Sequence, residues 1–146
     1  MTSVSSNIYM KPSAQRIMVV EENEDVGEVF KAYLELFDFD VIVKTSPPEA
    51  FRLSQSEYFD AYVIDIGMEN FAAIELARKL RSMPDNLRPA KLIATTAYAD
   101  DERENCLAAG FDAFFIKPID AEKIVEEIRG GSLKNSNLRR REAGSF

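Results

Sequence analysis

The sequence predicts an α/β domain in which a parallel five-stranded sheet is covered by helices on both faces. Three observations predict it. Short apolar runs suited to buried strands alternate with segments of helical period along the chain. Turn and cap signals separate them, and 146 residues suffice for one sizeable core.

The elements follow in order. "RIMVV" (16–20) reads as the first strand, and residues 25–37 as a helix with Val26, Val29, Phe30, Tyr33, Leu34 and Phe37 on one stripe. "VIVK" (41–44) is the second strand; Ser46 is a candidate N-cap with prolines in the first turn of a short helix. "AYVID" (61–65) is a strand ending on an acid, and residues 71–83 are a helix with Ile74, Leu76, Ala77 and Leu80 inward. "KLIAT" (91–95) precedes a helix over 100–109 that Gly110 stops. "AFFI" (113–116) is the last strand, and Gly130 and Gly131 end a helix over 120–129. Residues 1–15 read as a flexible lead, 16–129 as one domain, and 130–146 as a polar, basic tail or linker.

Composition excludes several chemistries. The chain has one cysteine, Cys106, and no histidine, so an internal disulfide, multi-cysteine or histidine metal sites and Ser-His-Asp triads are out. A net charge of −7 argues against general nucleic-acid binding; the tail alone carries +3, which leaves −10 on the rest. No apolar run could span a bilayer, so a cytoplasmic location is expected.

In such sheets ligands bind beyond the carboxyl ends of the strands. There the sequence puts Glu21 and Glu22, Asp65, Thr96, and Lys117–Pro118. Clustered carboxylates repel unless a cation joins them, and a hard one such as Mg²⁺ suits oxygen ligands. Asp65 would then be a nucleophile toward phosphorus, with Thr96 and Lys117 binding phosphoryl oxygens. As a bland alternative, acids at 21–25 merely favour a helix N-terminus.

The set in this order resembles the receiver domain of bacterial two-component response regulators. "VVEENED" stands where that family has its acidic pair, "YVIDIGMENFAAIELARKLR" matches the phosphoacceptor strand and next helix, and "IATTAYADDERENCLAAGFDAFFIKPI" matches the Thr–Ala and Lys–Pro steps. The resemblance implies a flavodoxin-like, doubly wound (βα)5 fold with strand order 2-1-3-4-5. It also implies phosphorylation of Asp65 by a histidine kinase or phosphotransfer protein. Mg²⁺ would be held by Asp65, by Glu22 directly, by Glu21 through water and by the Gly67 carbonyl. Thr96 and the Ala97 N–H would hold phosphoryl oxygens, Lys117 would bridge the phosphoryl group and Asp65, and the bond to Pro118 would be cis. Phe114 stands at the switch aromatic, and Gly67 and Tyr98 flank the hydrolytic water's path. A downstream effector, or a homodimer through helix 4, strand 5 and helix 5, would read the switch.

The chain departs from the family in its Glu21–Glu22 pair, in Glu69 where proline is usual and in Ala73 where glycine is common. A receiver that docks a partner without phosphorylation therefore stays open as a second reading. An enzyme on the same fold is disfavoured: "EENED" would repel a flavin phosphate, and no Asp-x-Asp pair of the dehalogenase kind follows strand one. A signalling module is expected instead.

Overall fold

The structure, a computed structural model, describes residues 14–67, 70–97 and 103–130. Glu69, Tyr98, positions 1–13 of the lead and 131–146 of the tail lie outside the described residues. Strand and helix alternate: β1 (Arg16–Val20), α1 (Glu24–Glu35), β2 (Asp40–Lys44), α2 (Pro47–Ser54), β3 (Ala61–Asp65), α3 (Asn70–Arg81), β4 (Lys91–Thr96), α4 (Arg103–Ala109), β5 (Ala113–Ile116) and α5 (Ala121–Arg129). All neighbouring strands pair in parallel, in the order β2-β1-β3-β4-β5. This is the flavodoxin-like sheet, and its strand order reverses between β1 and β3.

Side chains alternate across the sheet with a period of two, so each strand feeds two cores. Met18, Val20, Tyr62, Ile64, Leu92 and Ala94 pack under α2, α3 and α4. Ile17, Val19, Ala61, Val63 and Ile93 pack under α1 and α5. Local signals set the ends. Ser46 Oγ accepts the Glu49 N–H at 3.3 Å to cap α2, and Asp120 caps α5 through the Glu122 N–H at 2.9 Å. Gly130 closes α5 in the left-handed region at φ 70°.

The α1 stripe differs from the sequence expectation. Leu34 is fully buried, yet Val26, Val29 and Tyr33 are 44%, 69% and 42% exposed. The cause is Gly27, which is buried against the sheet: a Cβ there would lie 2.7 Å from Val43 Cγ1. The helix rests on β2 at its glycine, and this turns the valines and Tyr33 outward. Gly27→Ala is accordingly expected to lose about 1–3 kcal/mol through overpacking, more than alanine returns in helix propensity. Val43 is β-branched and stiff, so it cannot yield cheaply. Urea melts check this; an unchanged midpoint would mean that β2 gives way freely.

Candidate functional site

The sheet ladder continues one residue past several strand ends and fixes the site's backbone. The Glu21 N–H donates to the Lys44 carbonyl at 3.0 Å, the Ile66 N–H to Thr95 at 2.8 Å, and the Lys117 N–H to Thr96 at 2.7 Å. Glu21, Asp65 and Lys117 therefore leave the same edge of the sheet, the first two from neighbouring strands and Lys117 from beyond β4.

Their side chains meet. Lys117 Nζ lies 3.1 Å from Glu21 Oε1 and 3.3 Å from Asp65 Oδ2. The other Asp65 oxygen, Oδ1, accepts the Gly67 N–H at 2.9 Å, and Glu21 Oε2 accepts the Asn23 N–H at 3.2 Å. Glu21 and Asp65 are 7% and 8% exposed, so one ammonium faces two nearly buried carboxylates. Burial raises the Glu21 pKa; the Asn23 N–H works against this, Asp65's charge adds to it and Lys117 opposes it. Burial would lower Lys117, but the Glu21 hydrogen bond and the charges of Asp65 and Glu21 outweigh it, and its pKa is raised.

A cleft of about 340 Å³ opens over these groups, with Glu21, Glu22, Asp65, Gly67, Ala97 and Lys117 in its wall. Glu22 and Ala97 are exposed, whereas Thr96 is buried beneath the wall. The Thr96 hydroxyl is near: a Cβ on Gly67 would come within 3.8 Å of its oxygen. The Lys117–Pro118 peptide is cis. Phe114 is buried, and the Arg103 guanidinium lies 4.8 Å from its ring centroid. A second, apolar cavity of about 450 Å³ includes Val26, Val29, Tyr33 and Ile119 in its wall and reaches Asp65 and Lys117.

Among the described residues no three acids stand close enough to hold a metal ion together. The donor set still fits Mg²⁺, which keeps several waters and commonly takes only one or two protein carboxylates. Glu21 and Asp65 are two hard oxygen donors in one cleft, with Glu22 on its rim. Tyr98 and Glu69, expected near the site, lie outside the described residues. Sequence reasoning overlooked two residues here, Asn23 and Arg103. Asn23 had a readable signal: an asparagine ahead of two acids and an apolar residue is an N-cap pattern, and its Oδ1 accepts the Val26 N–H at 3.1 Å.

A parallel sheet with this strand order, carrying an aspartate, an acid and a lysine at its carboxyl edge, defines a response regulator receiver fold. The response regulator receiver domain family matches residues 17–129, and the chain belongs to that family. The polar-differentiation response regulator DivK of Brucella ovis is 28% identical over 114 residues, which cover 77% of this chain and 92% of the relative. A CheY-like receiver domain from Methylobacillus flagellatus superposes with a TM-score of 0.70 at 27% identity, over 80% of this chain and 99% of that one. The receiver domain of a sensor histidine kinase from Pseudomonas aeruginosa, with a magnesium ion coordinated in its active-site cleft, gives 0.70 at 27% identity, over 80% and 95%. The protein is thus a two-component signalling module of the receiver type. No helix among the described residues is long and apolar enough to cross a membrane.

Proposed function

We propose that Asp65 accepts a phosphoryl group from the phosphohistidine of a cytoplasmic kinase or phosphotransfer protein. The observation that carries this reading is the Asp65 carboxylate itself. One oxygen is oriented by the Gly67 N–H, the other faces the Lys117 ammonium, and an open cleft lies above. An Asp65 oxygen forms the new O–P bond as the N–P bond breaks, and the imidazole leaves with a proton from solvent. Lys117, Thr96 and the Ala97 N–H hold the phosphoryl oxygens, where fixed donors are worth most as charge shifts. Asp65, Glu22 and the Gly67 carbonyl would hold Mg²⁺, with Glu21 reaching it only through water, and the ion neutralises phosphoryl charge when bound.

The exposed apolar residues of α1 line the apolar cavity that reaches Asp65 and Lys117, and would give the donor protein a surface to rest on. The outcome would be read by an effector through α4, β5 and α5, or by a second copy there, with Thr96 and Phe114 as the switch pair. Intact-mass measurement after treatment with a small acyl phosphate and Mg²⁺ tests the proposal. One phosphoryl group on the wild type and none on Asp65→Ala are expected. An unmodified wild type would favour a receiver that docks without phosphorylation.

The lifetime of phospho-Asp65 is a separate expectation. Gly67 has no side chain to orient water, and a Cβ there would lie only 3.3 Å from Asp65 Oδ1, directly beside the reacting group. The family resemblance implies that position 98, a tyrosine here, flanks the same water path. Without a positioned base the phosphate should be lost slowly, and Gly67→Asn or Tyr98→Glu should hasten loss on the order of tenfold. Time courses of phosphate release check this; equal rates would remove the argument.

A further inference from the structure

We propose that Glu21 is a positioning residue for Lys117: its carboxylate is the anchor that keeps the ammonium beside Asp65. The inference rests on the phosphoacceptor reading above and deepens it. Lysine is a long chain that loses much rotamer freedom when held, and Lys117 has a third of its side chain exposed at the cleft. It needs fixed partners to stay in place. Asp65 supplies one at 3.3 Å, and Glu21 supplies the shorter one at 3.1 Å.

Glu21 is itself tethered. The Asn23 N–H holds its second oxygen, and Asn23 in turn caps α1 through the Val26 N–H. The anchor is thus built into the helix start and is nearly buried, whereas neighbouring Glu22 is exposed on the cleft rim. The two adjacent glutamates divide the work: Glu21 holds the lysine and Glu22 is left to a cation. Side-chain length decides this. An aspartate at 21 would fall short by one methylene, about 1.3 Å or more, which stretches the contact beyond hydrogen-bond range.

Two variants and two kinds of readout test the anchor. Glu21→Asp keeps the charge and loses the reach; Glu21→Gln keeps the shape and loses the charge. In metal-free protein, acylation of Lys117 by a small amine-reactive ester is followed by peptide mass, with exposed Lys123 as the internal reference. Both variants should label Lys117 roughly tenfold faster than wild type, the scale of one charged hydrogen bond. This arm needs no phosphorylation, so it decides the anchor even if Asp65 takes no phosphate.

The second arm measures acyl-phosphate uptake against Mg²⁺ concentration. The anchor predicts a roughly tenfold lower rate at saturating Mg²⁺ in Glu21→Asp, with the Mg²⁺ dissociation constant from calorimetry little changed. Glu21→Asp combined with Lys117→Gln should be no slower than Lys117→Gln alone, because the anchor acts only through the lysine. Unchanged Lys117 labelling in both variants would overturn the proposal. So would a Glu21→Asp defect that saturating Mg²⁺ abolishes, which would make Glu21 a metal ligand only.

Discussion

Glu127→Ala is expected to cost about 3–5 kcal/mol, the largest loss of any single substitution considered. Glu127 is 3% exposed on α5, and its Oε2 lies 3.1 Å from Nζ of Lys91, whose side chain is 12% exposed. Lys91 opens β4, and its stem runs to the C-terminal end of α5, where a Cβ on Gly130 would meet Lys91 Cε at 3.9 Å. Removing the carboxylate leaves an ammonium confined between strand and helix without its partner. In a domain of this size that is a drop in Tm on the order of 10–20 °C. Glu127→Gln keeps the shape and an acceptor, so its loss should be smaller. The paired replacement of Lys91 by Met and Glu127 by Leu should recover most of the stability, because burying both charges is itself costly. Calorimetric melts of the four proteins check the cycle. A loss under about 1 kcal/mol in Glu127→Ala would show that solvent reaches Lys91 freely.

Why some of this was legible in the sequence and some was not follows from range. Strand identity and strand-end chemistry are local: "AYVID" and "KLIAT" are apolar runs, and β3 and β4 pair in register from Ala61 with Lys91 to Asp65 with Thr95. Ser46, Gly110 and Gly130 could be read because caps involve residues a few positions apart. The outward turn of Val26, Val29 and Tyr33 was not legible, because it depends on Gly27 meeting Val43 sixteen positions away. Periodicity alone gives a stripe; the glycine decides which way it faces. The Lys91–Glu127 pair joins residues 36 apart, and only an acid at the edge of the α5 apolar stripe hinted at it. At the site, the residue types at 21, 65 and 117 were readable, and the rule that ligands bind beyond the carboxyl ends of the strands supplied their grouping. That Glu21 reaches the lysine was not readable, since it depends on side-chain length across a gap spanned by 96 residues of chain.

Lys117→Ala is expected to destabilise the metal-free protein by about 2–3 kcal/mol near neutral pH, the worth of its charged hydrogen bonds. The ammonium is the cation between Glu21 and Asp65, and without it two nearly buried carboxylates face each other across the cleft. The cost should depend on pH in a definite direction. Glu21's folded-state pKa is raised, chiefly by burial, and removing Lys117 takes away two influences that hold it down. A raised carboxylate pKa means stability is fully present below the unfolded-state value and is lost as pH rises through the folded-state value. The penalty should therefore fade as pH falls into the ordinary carboxylate range, where Glu21 takes up a proton, and grow as pH rises through Glu21's raised value. Lys117's own pKa is also raised, so the wild type keeps its advantage through neutral pH and loses it only as pH climbs through that raised value. Mg²⁺ should replace the missing charge and restore about 2.7 kcal/mol at a hundredfold excess over its dissociation constant. Melts from acid to alkaline pH, with and without Mg²⁺, check the size of the penalty, its two pH limits and the metal's effect. A penalty that is flat across this range would mean the carboxylates do not feel each other, and Lys117 would then stabilise the fold by packing alone.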